Sequence, residues 1–279
     1  MHRFLGHGQC PSWGHSWTRC IGRKLAAHRV SWGIAVAVAC MTGLTGVVSA
    51  SVFNVNPVQV RLSAQTRSMT LTLKNESAET SRFQVSVFAW DQKPNGEMVL
   101  TPTEDILAFP ALLTLGPTKK QMLRVGMAVP PAEKKLTYRV FIEEMPPEDT
   151  SHQEKASAVR FVTRLGIPIF IAPPRPVRQG QIDNYRVVNG TFTFHVRNTG
   201  NVHFTAKTTS VIGTGSGGET VFSRQTNGWY VLAGGVHEHT LEIPRLDCLK
   251  TSTITVTVEA DEISLRGEFR LLPGNCGAD

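Results

Sequence analysis

The sequence predicts an all-β protein built from two sandwich domains, and three observations carry that expectation. Apolar residues recur with a period of two in short runs, and no segment beyond residue 50 holds a 3.6-residue stripe. Turn residues punctuate the runs, as at Pro94-Asn95-Gly96 and Gly116-Pro117. A stiff proline segment, Ala172-Pro173-Pro174-Arg175-Pro176, then separates one strand series from another.

Residues 1–50 stand apart from this pattern. Arg3, Arg19, Arg23, Lys24 and Arg29 give them five cations and no acid, Trp32 to Val48 run small and apolar, and Val48-Ser49-Ala50 is a small-x-small cleavage site. That order is the one a secretory signal peptide uses, so export is expected. Most of the basicity of the chain leaves with this segment: 5 of the 29 Lys+Arg and none of the 22 Asp+Glu lie in it. A remaining balance of +2 gives a nucleic-acid partner little support.

The first strand series begins with Phe53 and Val55 at odd positions. After Pro57 the apolar residues Val58, Val60 and Leu62 are even, a phase change expected where a strand kinks and crosses between sheets. Met69, Leu71 and Leu73 alternate next, then Phe83, Val85 and Val87, then Met98 and Leu100 after the turn at Asn95-Gly96. Leu113 and Leu115, Leu123 and Val125, and finally Leu136, Tyr138, Val140 and Ile142 continue the series. About seven short strands in some 120 residues is the density of a β-sandwich. The polar loop Met145 to Ser157 precedes one more alternating stretch, Ala158 to Pro168 (AVRFVTRLGIP). In it Val159, Phe161, Leu165 and Ile167 share one parity, and Arg160 and Arg164 share the other.

A linker at 173–180 leads to the second series at 181–279: Tyr185 and Val187, Phe192 to Val196, Val202 and Phe204, Trp229 to Leu232, and Leu241 with Ile243. It closes with a hairpin in which Ile254, Val256 and Val258 face Leu265, Phe269 and Leu271 across a turn at Ala260-Asp261-Glu262. Cys248 and Cys276 lie equidistant from that turn, so in an exported chain they are expected to form a disulfide.

Few residues suggest chemistry. Gly213-Thr214-Gly215-Ser216-Gly217-Gly218 lacks the lysine and following helix of a phosphate loop and reads as a hairpin loop. His237-Glu238-His239 offers two imidazoles without further ligands at metal spacing, and reads as an exposed loop. Asn75-Glu76-Ser77 and Asn189-Gly190-Thr191 match the glycosylation pattern but look like turns. No nucleophile elbow or HExxH helix is present, so no enzyme, metal or cofactor is expected.

An ordered set of motifs resembles the PapD-like periplasmic chaperones of the chaperone–usher pilus pathway. Asn56-Pro57-Val58 with Leu62, Leu71 to Asn75, Trp90-Asp91-Gln92, Asp105-Ile106-Leu107, Phe109-Pro110, Gln121 to Arg124 and Tyr138 to Pro147 follow the family's order. The wording around Tyr138-Arg139 and Gly166 to Phe170 looks most like the archaic, Csu-type branch. The resemblance implies two immunoglobulin-like domains, the first spanning 51–172, and a non-enzymatic periplasmic chaperone. Its last first-domain strand would be the donor strand, lending Val159, Phe161, Leu165 and Ile167 to the groove of a pilus subunit. The family would also deliver the subunit to an outer-membrane usher, and the free chaperone would have a strand available for self-association.

Related chaperones hold the subunit's C-terminal carboxylate with an Arg on the first strand and a Lys on the donor strand. Here Gln59 and Pro168 occupy those positions, so Arg139 and Arg164 are the candidate anchors. The alternative is a pilus subunit or immunoglobulin-like surface adhesin, which would carry an alternating N-terminal extension and a single incomplete domain.

Overall fold

The computed structural model describes residues 53–146 and 162–276. The export segment read at residues 1–50, and Val159 and Phe161, lie outside the described residues.

The phase change at Pro57 is a change of sheet. Strand β1 (Phe53–Asn56) pairs with β3 (Ser68–Asn75), whereas β2 (Val60–Leu62), past the cis Asn56–Pro57 bond, pairs in parallel with β10 (Arg164–Ile171). Val55 is buried before the proline and Val60 and Leu62 after it, while Val58 is exposed at the crossing. Each parity therefore serves the same core from opposite walls.

One wall has the order β1-β3-β8-β6, with β8 at Lys120–Met127 and β6 at Ile106–Phe109. The other runs β2-β10-β9-β4-β5, with β9 at Leu136–Met145, β4 at Ser81–Gln92 and β5 at Met98–Pro102; β7 (Leu112–Leu115) also joins β4. Leu71, Leu73, Leu123 and Val125 from the first wall meet Phe83, Val140, Ile142 and Ile169 from the second, all fully buried. The glycosylation match at Asn75 has a structural use. Its buried side chain donates to the Glu79 and Leu115 carbonyls at 2.7 and 3.0 Å and accepts from Ser77 N at 2.9 Å. That is how a buried amide in a turn satisfies its donors and acceptor.

The second sandwich sets β11 (Gly180–Val188), β12 (Thr191–Asn198) and β16 (Val236–Glu242) against β14-β13-β17-β18. These last are Thr220–Asn227, Phe204–Thr214, Thr253–Ala260 and Ser264–Arg270, with β15 (Tyr230–Val231) added to β13. The glycine-rich run is the hairpin end between β13 and β14, where Gly215 N donates to Glu219 O. His237-Glu238-His239, expected as an exposed loop, instead lies within β16. Its alternation with Leu241 is a strand period, and the His239 ring stacks on buried Phe194 at 5.0 Å. Hairpin β17–β18 pairs Ile254 with Phe269 and Val258 with Leu265. Just beyond its arms, Cys248 on helix α1 (Arg245–Lys250) is bonded to Cys276, ending the 3-10 turn Pro273–Cys276, with Cα atoms 5.7 Å apart.

The two sandwiches share a third buried cluster of Trp90, Phe170 and Leu232, lined by Leu100 and Tyr230. Beside it the turn after β4 touches β16, where Glu238 N donates to Pro94 O at 2.7 Å. Gly96 has φ +85°, and a Cβ there would fall 2.6 Å from the His237 ring, so glycine serves both the turn and the contact.

Candidate functional site

The candidate site is built on β10, whose two edges differ. Along its whole length it pairs antiparallel with β9, from Arg164 opposite Glu143 to Ile171 opposite Leu136. On the other edge, β2 reaches only Ile169, Phe170 and Ile171. Among the described residues no strand pairs with that second edge over residues 164–168. A run of strand with one open edge is a template for another strand.

The alternation along β10 then sorts its side chains. Ile171, Ile169 and Ile167 point into the first core, while Leu165 is only partly covered at its margin. Ile167, expected in a partner's groove, is 1% exposed among the core residues of its own domain. The apolar rail is thus shared, its C-terminal part filling this chain's own core and its cover ending at Leu165.

The opposite parity faces the cleft between the sandwiches. Arg139 stands directly across from Pro168 and is 7% exposed, with its guanidinium 4.2 Å over the Trp90 ring. The absence of a side chain at Gly166 makes room here, since a Cβ would fall 2.8 Å from the Phe141 ring and 3.4 Å from Arg139 Nη1. Nε of Arg139 and Nε1 of Trp90 are both buried without a hydrogen-bond partner, and no carboxylate pairs with Arg139 among the described residues. Burial alone lowers the Arg139 pKa below its ordinary value, an effect Tyr230 partly offsets. Arg164 is different. It lies over Phe141 at 4.1 Å, its Nε is 3.3 Å from Glu143 Oε2, and both partners are about half exposed. Such a surface pair contributes about 0–1 kcal/mol.

Three comparisons bear on this arrangement. Residues 52–176 match the family model described as pili and flagellar-assembly chaperone, PapD N-terminal domain. The first domain belongs to that family. The whole described chain has the family's two-domain fold, as similarity to solved structures shows. With the chaperone–tip adhesion subunit complex CsuC–CsuE of archaic Csu pili from Acinetobacter baumannii, the TM-score is 0.52 at 18% identity, covering 77% of this chain and 98% of that one. With the class 5 fimbriae chaperone CfaA the values are 0.53 and 14%, over 78% and 98%. With the Escherichia coli chaperone DraB they are 0.50 and 15%, over 80% and 98%. No match was found among curated proteins. PapD-type chaperones are pilus-assembly proteins and not enzymes.

Gln59 and Pro168, expected at the places of the family's anchoring cations, lie just before β2 and within β10. Gln59 is half-buried and its Oε1 accepts from Arg61 Nε at 2.9 Å. Arg61 is a cation the sequence reading passed over, although it follows Gln59 by two residues and so shares its face. Lys135 was also missed, because it precedes the alternating part of β9. It lies 5.3 Å over the Phe170 ring and donates to His203 Nδ1 at 3.3 Å. Burial, then Arg178 and Arg61, pull its pKa down to about 8. Nothing in the linear sequence places residues 61, 135, 178 and 203 together.

His203 stacks on Phe170 at 3.9 Å, and burial, then Lys135, lower its pKa to about 3; Asp261 acts against this. His239 is lowered to about 4 by burial and by His237. Both histidines bind a proton more readily in the unfolded chain, where the value is about 6.5. The contribution of these two histidines to stability is therefore expected to be complete above pH 6.5 and to fall toward pH 3–4, by about 1.4 kcal/mol per pH unit for each. Melting temperature against pH checks this. The variant His203→Phe, which keeps the ring stack, should flatten the slope; an unchanged slope would show that His203 titrates normally.

Proposed function

We propose that the chain is a periplasmic pilus-assembly chaperone that completes the fold of a pilus subunit by strand donation. The observation that carries this reading is the edge of β10 at residues 164–168, which no strand pairs with among the described residues; Phe161 and Val159 precede it in the sequence. A subunit lacking its last strand would pair its backbone with that edge and take Val159, Phe161 and Leu165 into its groove. Capture would keep the subunit's own apolar groove and free edge from aggregating. The chaperone would then pass the subunit to an outer-membrane usher. In the free protein the same edge is available to a second copy.

Arg139 would receive the subunit's terminal carboxylate. Its position beside Pro168, its buried unpaired Nε and its lack of a carboxylate partner among the described residues support that role over Arg164, which already faces Glu143. Co-expression with a pilus subunit and affinity capture test the function. A one-to-one complex is expected, and a subunit that stays insoluble and unbound beside excess chaperone would reject it.

A further inference from the structure

At the joint between the sandwiches one side chain bonds both the first sandwich and the linker. Asn201 lies in the connection between β12 and β13. Its Nδ2 donates to Glu133 O of the first sandwich at 2.8 Å and to Arg175 O of the linker at 2.9 Å. Its Oδ1 accepts from Val177 N at 2.6 Å. The backbone adds two more bonds: Asn201 N donates to Val177 O at 3.0 Å, and Asn201 O accepts from Lys135 N at 2.9 Å.

An amide has two N–H donors and a carbonyl acceptor, and all three kinds of contact here cross between segments. Asn198, three residues earlier, provides the contrast. Its Nδ2 donates to Val202 O and Val231 O at 2.8 and 3.0 Å, and its Oδ1 accepts from Gly200 N, all within the second sandwich. One asparagine builds the connection, and the other ties it to the first domain and the linker. The neighbouring His203, seated on Phe170 and bonded to Lys135, extends the same contact.

We infer that Asn201 is a positioning residue that sets the angle between the sandwiches and keeps the cleft open to a subunit. The link from cleft to subunit rests on the function proposed above; the effect on the angle does not. Without the side-chain clamp the joint would keep the Trp90, Phe170 and Leu232 cluster, which is non-directional apolar packing, and single bonds such as Lys135 N to Asn201 O and Glu238 N to Pro94 O. Affinity for a subunit then falls in proportion to the fraction of molecules with the right angle.

The test is Asn201→Asp, which keeps the acceptor for Val177 N but turns a carboxylate oxygen toward the Glu133 and Arg175 carbonyls. Asn198→Ala is the control. Small-angle scattering of the purified full chain should give a larger radius of gyration for Asn201→Asp, and calorimetry should split one transition into two. Asn198→Ala should lower stability with unchanged scattering. Subunit capture should weaken about tenfold for Asn201→Asp, as expected for loss of two hydrogen bonds. A single lowered transition with unchanged scattering for Asn201→Asp would overturn the inference. If wild type captures no subunit, the proposed function fails, while scattering and calorimetry still judge the clamp.

Discussion

Replacing Phe161 and Leu165 together by aspartate is expected to abolish capture of a pilus subunit while leaving the chaperone folded. Two large apolar side chains leaving a groove forfeit about 3–6 kcal/mol. Forcing two carboxylates into the same groove adds a desolvation penalty. Even the lower figure is a loss of more than about a hundredfold in affinity. The chaperone tolerates the change at Leu165 because that side chain is only partly covered, at the margin of its core. Ile167→Asp supplies the contrast: with 1% exposure and neighbours on both walls, it should unfold the first domain and not merely block binding. Co-purification with a subunit, beside circular dichroism and melting temperature, separates the two outcomes. An aspartate pair that still co-purifies at the wild-type level would end the donor-strand reading.

Arg139→Met is expected to weaken subunit binding about 10- to 150-fold, the range for charge-assisted hydrogen bonds of about 1.5–3 kcal/mol. The same change should leave the melting temperature of the free protein unchanged or raise it. A buried guanidinium without a carboxylate carries a desolvation cost, and methionine removes that cost while keeping contact with Trp90. Loss of binding together with gain of stability is the mark of a residue kept for a ligand. Arg139→Lys should fall between, because an ammonium holds a carboxylate as a point charge and not through a planar fork. Arg164→Met should stay within a few-fold of wild type, since its exposed pair with Glu143 contributes little. Isothermal titration with a subunit checks the series. Equal losses at 139 and 164, or a destabilised Arg139→Met, would remove Arg139 as the anchor.

Much of the fold was legible because its signals are local. The parity switch at Pro57 could be read as a change of sheet, since a period of two assigns each side chain to a face and a proline resets it. The hairpin that brings Cys248 near Cys276 followed from symmetry about one turn. His237 and His239 were misplaced in a loop because imidazoles were counted as polar, although their alternation continued to Leu241. The candidate site was only half legible. Leu165 and Ile167 carry the same sequence signal, and nothing local distinguishes a rail residue that meets its own opposite wall from one that does not.

The sequence alone determined what depends on neighbours along the chain: strands, their faces, the turns, and the ordered motifs that mark the chaperone family. Tertiary structure decided what depends on residues far apart in the chain. It closed the core over Ile167 and, among the described residues, left 164–168 with an open edge, because β2 ends its pairing at Ile169. It also put Arg139 over Trp90 beside Pro168, and tied Glu133, Arg175 and Val177 to Asn201. Those contacts form only when separate strands and domains pack, so no period or spacing in the sequence encodes them.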